Sequence, residues 1–116
     1  MRFRSLRLVA IAAAAGLACD STLIGTGQMA NAYVTTQSTS FAPVQVTIQV
    51  GQTVLWAFGS GNHNVLFDEI PGAPADCPQV VSAGTCTRQF LTAGSFGFFC
   101  GPHYSVGMVG TVVVNP

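Results

Sequence analysis

Short runs of alternating apolar and polar residues, cut by glycine and proline every few positions, constrain this chain more than any other feature. Val46, Ile48 and Val50 alternate with Thr47 and Gln49. That period of two lays one face of a strand against a core. Gly51-Gln52 turns the chain into a second strand over residues 53–58. Residues 65–67 form a short apolar third. Residues 87–91 form a fourth, ended by Ala93-Gly94. Phe96, Phe98 and Cys100 then share one face of the next strand, with Gly97 and Phe99 on the other. Residues 109–114 close the chain as a β-branched strand, and residues 32–36 open the domain. No stretch after residue 19 carries helical periodicity with caps. The expected fold is all-β, an antiparallel Greek-key sandwich with Trp56 and the phenylalanines in its core.

The N-terminus has a different composition. Arg2, Arg4 and Arg7 are followed by an uncharged apolar run over residues 8–18. Eleven residues suit the apolar region of an export signal and are too few to span a bilayer. Gly16-Leu17-Ala18 fits a signal-peptidase site, and Cys19 follows it. The segment resembles a bacterial lipoprotein signal, in which cleavage precedes the cysteine and a lipid is attached to it. That family usually has Leu three positions before the cysteine, where this chain has Gly16. An ordinary signal peptidase acting at the same bond would give a plain secreted protein. The division expected is a signal peptide over 1–18, a flexible tether over 19–31 rich in Ser, Thr, Gly and Gln, and a folded domain over 32–116. On either reading the domain leaves the cytoplasm for the periplasm or cell surface, where disulfides persist. Lipidation of Cys19 would anchor it to a membrane.

Charged residues make up 7% of the chain, and there is no lysine, against roughly 25% charged in an ordinary soluble protein. The formal charge of zero mixes two segments. Without the three N-terminal arginines, Arg88 stands against Asp20, Asp68, Glu69 and Asp76, a net −3. The chain is too uncharged to offer the basic stripe that neutralises a phosphate backbone, so nucleic acid is not an expected partner.

A folded domain of about 85 residues has a thin core and often adds a disulfide or a metal. This one has the means for both. Cys77 and Cys86 bracket a loop containing Pro78, Ser82, Ala83 and Gly84. They are expected to form a local disulfide worth about 2–3 kcal/mol on the chain-entropy account; a metal site at the pair is the alternative. Cys100 is left over, and an odd cysteine in an exported domain needs a role. It opens the run Cys100-Gly101-Pro102-His103-Tyr104-Ser105-Val106-Gly107-Met108, and His63-Asn64-Val65 stands upstream. The chain has two histidines. Together with Cys100 they give a His₂Cys set, with Met108 as a weak fourth ligand. Two imidazoles, a thiolate and a long axial thioether make a blue-copper site. Zinc takes four firm ligands, and Met is not among them. A nucleophilic Cys–His pair would want an orienting group and a substrate cleft, and neither is visible.

Over residues 41–115 the sequence resembles the cupredoxins, specifically the plastocyanin and pseudoazurin group. The resemblance rests on Phe41-x-Pro43, Val50-Gly51-x-Thr53-Val54-x-Trp56, His63-Asn64-Val65, the loop from Cys100 to Met108, and Gly110 ahead of Val112-Val113-Val114. It implies one copper ion held by His63, Cys100, His103 and Met108, one-electron transfer without substrate turnover, and an Asn64 that ties the His63 strand to the ligand loop. Pro102 stands between Cys100 and His103 as in plastocyanin, and it removes one possible N–H donor beside the sulfur. Phe99 stands where plastocyanin has a tyrosine associated with electron exit, and Gly101 replaces the usual Ser or Thr. The segment from His63 to Cys100 is shorter than in plant plastocyanin and carries the Cys77/Cys86 pair. The acidic patches of the plant proteins are missing, so a photosynthetic partner is not implied.

The expected function is a monomeric electron carrier outside the cytoplasm. The alternatives are a copper-buffering or delivery protein and a sandwich that has lost its metal. Redox partners are expected to dock near His103, because no Asp, Glu, Lys or Arg occurs over residues 89–116, nor over 41–67. The surface there should be neutral and partly apolar.

Overall fold

A computed structural model describes residues 29–116. The expected signal over residues 1–18, Cys19 and most of the tether lie outside them. The described chain forms nine strands: β1 (Ala32–Gln37), β2 (Ser40–Ala42), β3 (Gln45–Gln49), β4 (Thr53–Ala57), β5 (His63–Phe67), β6 (Cys77–Val81), β7 (Thr85–Gln89), β8 (Gly94–Phe99) and β9 (Val109–Asn115). One sheet has the order β2-β1-β4-β7 and the other β3-β9-β8-β5-β6.

The period-two pattern does what it should. Val46 and Ile48 of β3 point inward, as do Phe96 and Phe98 of β8 and Gly110, Val112 and Val114 of β9. The core between the sheets is an aromatic cluster around Trp56. Its ring meets Phe67 at 5.5 Å and Phe98 at 5.2 Å, both edge-on, and Phe98 in turn meets Phe41 at 4.9 Å. Edge-to-face pairs of this kind add about 0.5–1.5 kcal/mol each beyond area burial.

The expected sandwich is present, but its sheets are mixed rather than purely antiparallel. β1 pairs with β4 and β3 with β9 in parallel. Alternation fixes which face of a strand is buried and says nothing about the direction of its neighbour. Parallel partners need a long crossover, and the intervening strands supply it. Two strands also arise where no pattern announced them. β2 is three residues long, and β6 carries Pro78 with Gln79 and Val80 exposed. Both are edge strands, where a proline can sit without costing a ladder bond.

The Cys77–Cys86 disulfide forms as expected, with Cα atoms 6.4 Å apart. It does not simply close a loop. Cys77 begins β6 at the edge of one sheet, and Cys86 lies within β7 at the edge of the other. The bridge therefore clips the two layers together along one side.

Candidate metal centre

The strand directions bring the histidine and the cysteine to one end of the sandwich. β5 and β8 run antiparallel, with Leu66 opposite Phe99 and Phe67 opposite Phe98. The start of β5, at His63, thus lies beside the end of β8, where Cys100 follows. The loop from Cys100 then folds back on itself. Cys100 N–H donates to Met108 O at 3.0 Å, and Met108 N–H to His103 O at 3.3 Å. A single 3₁₀ turn over Tyr104–Val106 fills the tip.

His63 Nδ1, Cys100 Sγ and a ring nitrogen of His103 come together here, with one ligand atom from each residue all within 4.8 Å of one another. Cys100 Sγ lies 3.5 Å from His103 Nδ1 and 3.9 Å from His63 Nδ1. Three of the four expected ligands are fully buried (His63, Cys100 and Met108, each 0% exposed), while His103 is half-buried. Met108 is tied to this cluster through its backbone bonds to Cys100 and His103.

The tautomer of His63 follows from its surroundings. Its Nε2 lies 3.0 Å from the carbonyl oxygen of Ser60. A carbonyl only accepts, so Nε2 carries the proton and Nδ1 keeps its lone pair toward Cys100. Gly61 makes this contact possible. It has φ +108°, and a Cβ there would lie 2.7 Å from His63 Nε2. The Gly59-Ser60-Gly61 run ahead of His63 was the available signal, and reading the motif from His63 onward passes over it.

Asn64 is 6% exposed and uses both ends of its amide. Its Oδ1 accepts from Gly101 N–H at 2.8 Å, joining β5 to the ligand loop as the resemblance implied. Its Nδ2 donates to Pro78 O at 3.2 Å, a partner that sequence reading did not supply. Phe99 is half-buried, and its ring packs edge-on against Tyr104 at 5.0 Å. Pro102 is exposed in the loop. Around His103, Tyr104 is 61% and Val106 63% exposed, with no charged residue on the loop.

The donor set decides what fits. Two imidazoles and one cysteine sulfur, with a thioether on the same loop, suit a copper ion that cycles between oxidation states. Among the described residues no carboxylate joins the group, which disfavours a hard cation.

Comparison with known proteins agrees with this chemistry. Residues 27–115 match the family model described as copper binding proteins, plastocyanin/azurin family. The chain is 42% identical over 84 residues to chloroplastic plastocyanin of Tetradesmus obliquus, covering 65% of this chain and 58% of that protein. It is thus matched to little more than half of that relative's length. It is 41% identical over 84 residues to plastocyanin of Scenedesmus fuscus, covering 65% of this chain and 86% of that protein. Among solved structures it resembles amicyanin from Paracoccus versutus, with a TM-score of 0.63 and 27% identity over 78% of this chain and 88% of that one.

Proposed function

The chain belongs to the plastocyanin/azurin family of copper-binding proteins, and from that premise we propose that it carries single electrons on one type 1 copper held by His63, Cys100, His103 and Met108. The observation that carries this is the convergence of both histidine Nδ1 atoms on the one free, buried cysteine among the described residues. Bound copper supplies a one-electron Cu(II)/Cu(I) couple with strong sulfur covalency. The protein supplies rigidity. His63 is fixed by Ser60 O, the loop by Asn64 and Met108 O, and the aromatic core backs β8. Ligands so held rearrange little when charge changes. Full burial of His63, Cys100 and Met108 excludes water and favours a carrier over a delivery protein, which would need an exchangeable ion.

Loading the protein with Cu(II) tests the reading. An intense thiolate-to-copper charge-transfer band toward the red is expected, and a colourless complex would end it. Met108→Leu should keep the ion and the band. The reduction potential should rise, because losing the thioether disfavours Cu(II). Loss of copper in that variant would mean that Met108 holds the ion rather than tunes it.

Electrons pass through His103, the half-buried ligand, to partners seated on the neutral surface of Tyr104 and Val106. A small apolar contact suits transient redox encounters. Without opposing charges there is little steering, so exchange rates should barely depend on ionic strength. Val106→Glu should slow exchange about three- to tenfold with the blue band intact. An unaffected rate would move docking toward Asp68 and Glu69.

We place the working protein outside the cytoplasm as a monomer, lipid-anchored through Cys19. Among the described residues no helix is long and apolar enough to cross a membrane. The mass of the mature N-terminus checks the anchor: acylated Cys19 is expected, and a free thiol there would leave a secreted domain.

A further inference from the structure

We infer that the Cys77–Cys86 bridge and the Pro78 carbonyl are positioning elements for the metal centre, acting on it through Asn64. The inference rests on the copper reading above. Its basis is a chain of adjacent groups. Gly101 is the residue after Cys100, and its N–H donates to Asn64 Oδ1 at 2.8 Å. The other end of the same amide, Nδ2, donates to Pro78 O at 3.2 Å. Pro78 follows Cys77, which is bonded to Cys86 in the opposite sheet. One side chain therefore spans from the bridge to the backbone beside the sulfur ligand.

The outer bond sets the inner one. An amide presents an acceptor at one end and two donors at the other. Gly101 N–H needs the acceptor end. A turned-over Asn64 would bring its NH₂ group against that N–H and leave the bond unmade. Pro78 O accepts only the NH₂ end, so it selects the orientation in which Oδ1 faces Gly101.

The position of Pro78 depends in turn on the bridge. β6 is an edge strand with β5 as its one ladder partner, and the register is irregular between His63 and Val65, where Asn64 lies. Pro78 has no N–H to add to that ladder. Side-chain packing does not fill the other flank either. An open groove of about 420 Å³ lies there, lined by Phe58, Cys77, Pro78, Val81, Cys86 and Arg88. Two straps cross from β7. One is the disulfide. The other is Arg88, which donates to Ala75 O at 2.7 Å and Asp76 O at 2.6 Å, just ahead of Cys77. Cutting the bridge should leave Arg88 holding the approach to β6, with the start of the strand free to shift. The fold should survive and the Asn64 clamp should loosen.

The test uses the full chain with Cys77→Ala/Cys86→Ala, both metal-free and copper-loaded. In metal-free protein, Gly101 amide exchange should accelerate about tenfold or more, while the amides of Phe96 and Val112 in the central β8–β9 ladder stay near their wild-type rates. In copper-loaded protein the blue band should persist with a lower reduction potential and altered copper hyperfine coupling, because a looser loop lets Cu(II) approach its preferred geometry. A Gly101 rate within twofold of wild type overturns the proposal. So does a uniform acceleration of all three amides, which would make the bridge a general stabiliser only. If the double variant fails to fold, Pro78→Gly keeps the bridge but frees the backbone at the carbonyl. It should accelerate Gly101 exchange about threefold, and no change there is equally fatal. Since the exchange readout needs no metal, a failure of copper to bind would sink the functional reading while leaving the clamp separately measurable.

Discussion

The Cys100→Ser protein is expected to be colourless with Cu(II) and to bind it at least about a hundredfold more weakly. Substituting groups that merely support a ligand already costs about 10- to 100-fold in metal affinity, and this change removes a ligand. A thiolate is soft and strongly covalent toward copper, whereas a serine hydroxyl is hard and stays protonated at neutral pH. The histidines remain, so residual binding through His63 and His103 should give a weak, pale complex. Folding should survive. Cys100 is fully buried, and an oxygen there costs about 1–3 kcal/mol if left unpaired. Among the described residues, the acceptor that the sulfur approaches outside the two histidines is Asn62 O, at 3.9 Å. Absorption, metal content and thermal unfolding on one preparation separate loss of ligand from loss of fold. A retained charge-transfer band would require another thiolate. Among the described residues the other two cysteines, Cys77 and Cys86, are bonded to each other, so in protein whose Cys19 is acylated the assignment of the centre itself would have to be abandoned.

How much of this could be read from residues alone differs between the site and its supports. The candidate cluster of His63, Cys100 and His103 was legible because its chemistry is local: Cys100 and His103 share one loop with Met108, and His63 is the other histidine of the chain. The strands were legible wherever one face is buried, as in β3, β8 and β9. β6 was not, because Pro78, Gln79 and Val80 show no alternation and the strand exists through its partner and its disulfide. Parallel pairing in β1–β4 and β3–β9 was hidden for a related reason, since periodicity carries no direction. The supports of the site were hidden too. Ser60 and Pro78 act through backbone carbonyls, which every residue has, so no side-chain motif marks them.

Gly110→Ala is expected to be among the most damaging single-methyl changes in the protein. Gly110 lies in β9 directly opposite Phe98 in β8. A Cβ at 110 would run into Phe98 Cζ, lie 2.7 Å from Phe98 Cε2, and lie 2.8 Å from the carbonyl oxygen of Val44. Neither neighbour can yield cheaply. The Phe98 ring is wedged edge-on against Phe41 and Trp56. Val44 O accepts Thr111 N–H at 2.9 Å, beside the β3–β9 pairing. Overpacking of a core costs about 1–3 kcal/mol, and this site should fall at the upper end. For a domain of this size that is a fall in Tm of about 10–20 °C. A second substitution identifies which neighbour resists. Leucine at 98 lacks the Cζ and Cε2 atoms that the new methyl meets, so Phe98→Leu should open room for it. Gly110→Ala should then cost at least about 1 kcal/mol less in the Phe98→Leu background than in wild type, a coupling of the size found for residues in contact. The carbonyl clash remains in both backgrounds, so relief should be partial. If the two changes add within about 0.5 kcal/mol, the Val44 carbonyl and not the aromatic ring is what keeps residue 110 a glycine. Phe98 also lies two residues before Cys100 on the same face of the chain. A ring displaced by Gly110→Ala should therefore shift the blue band, and Phe98→Leu should move it back toward wild type.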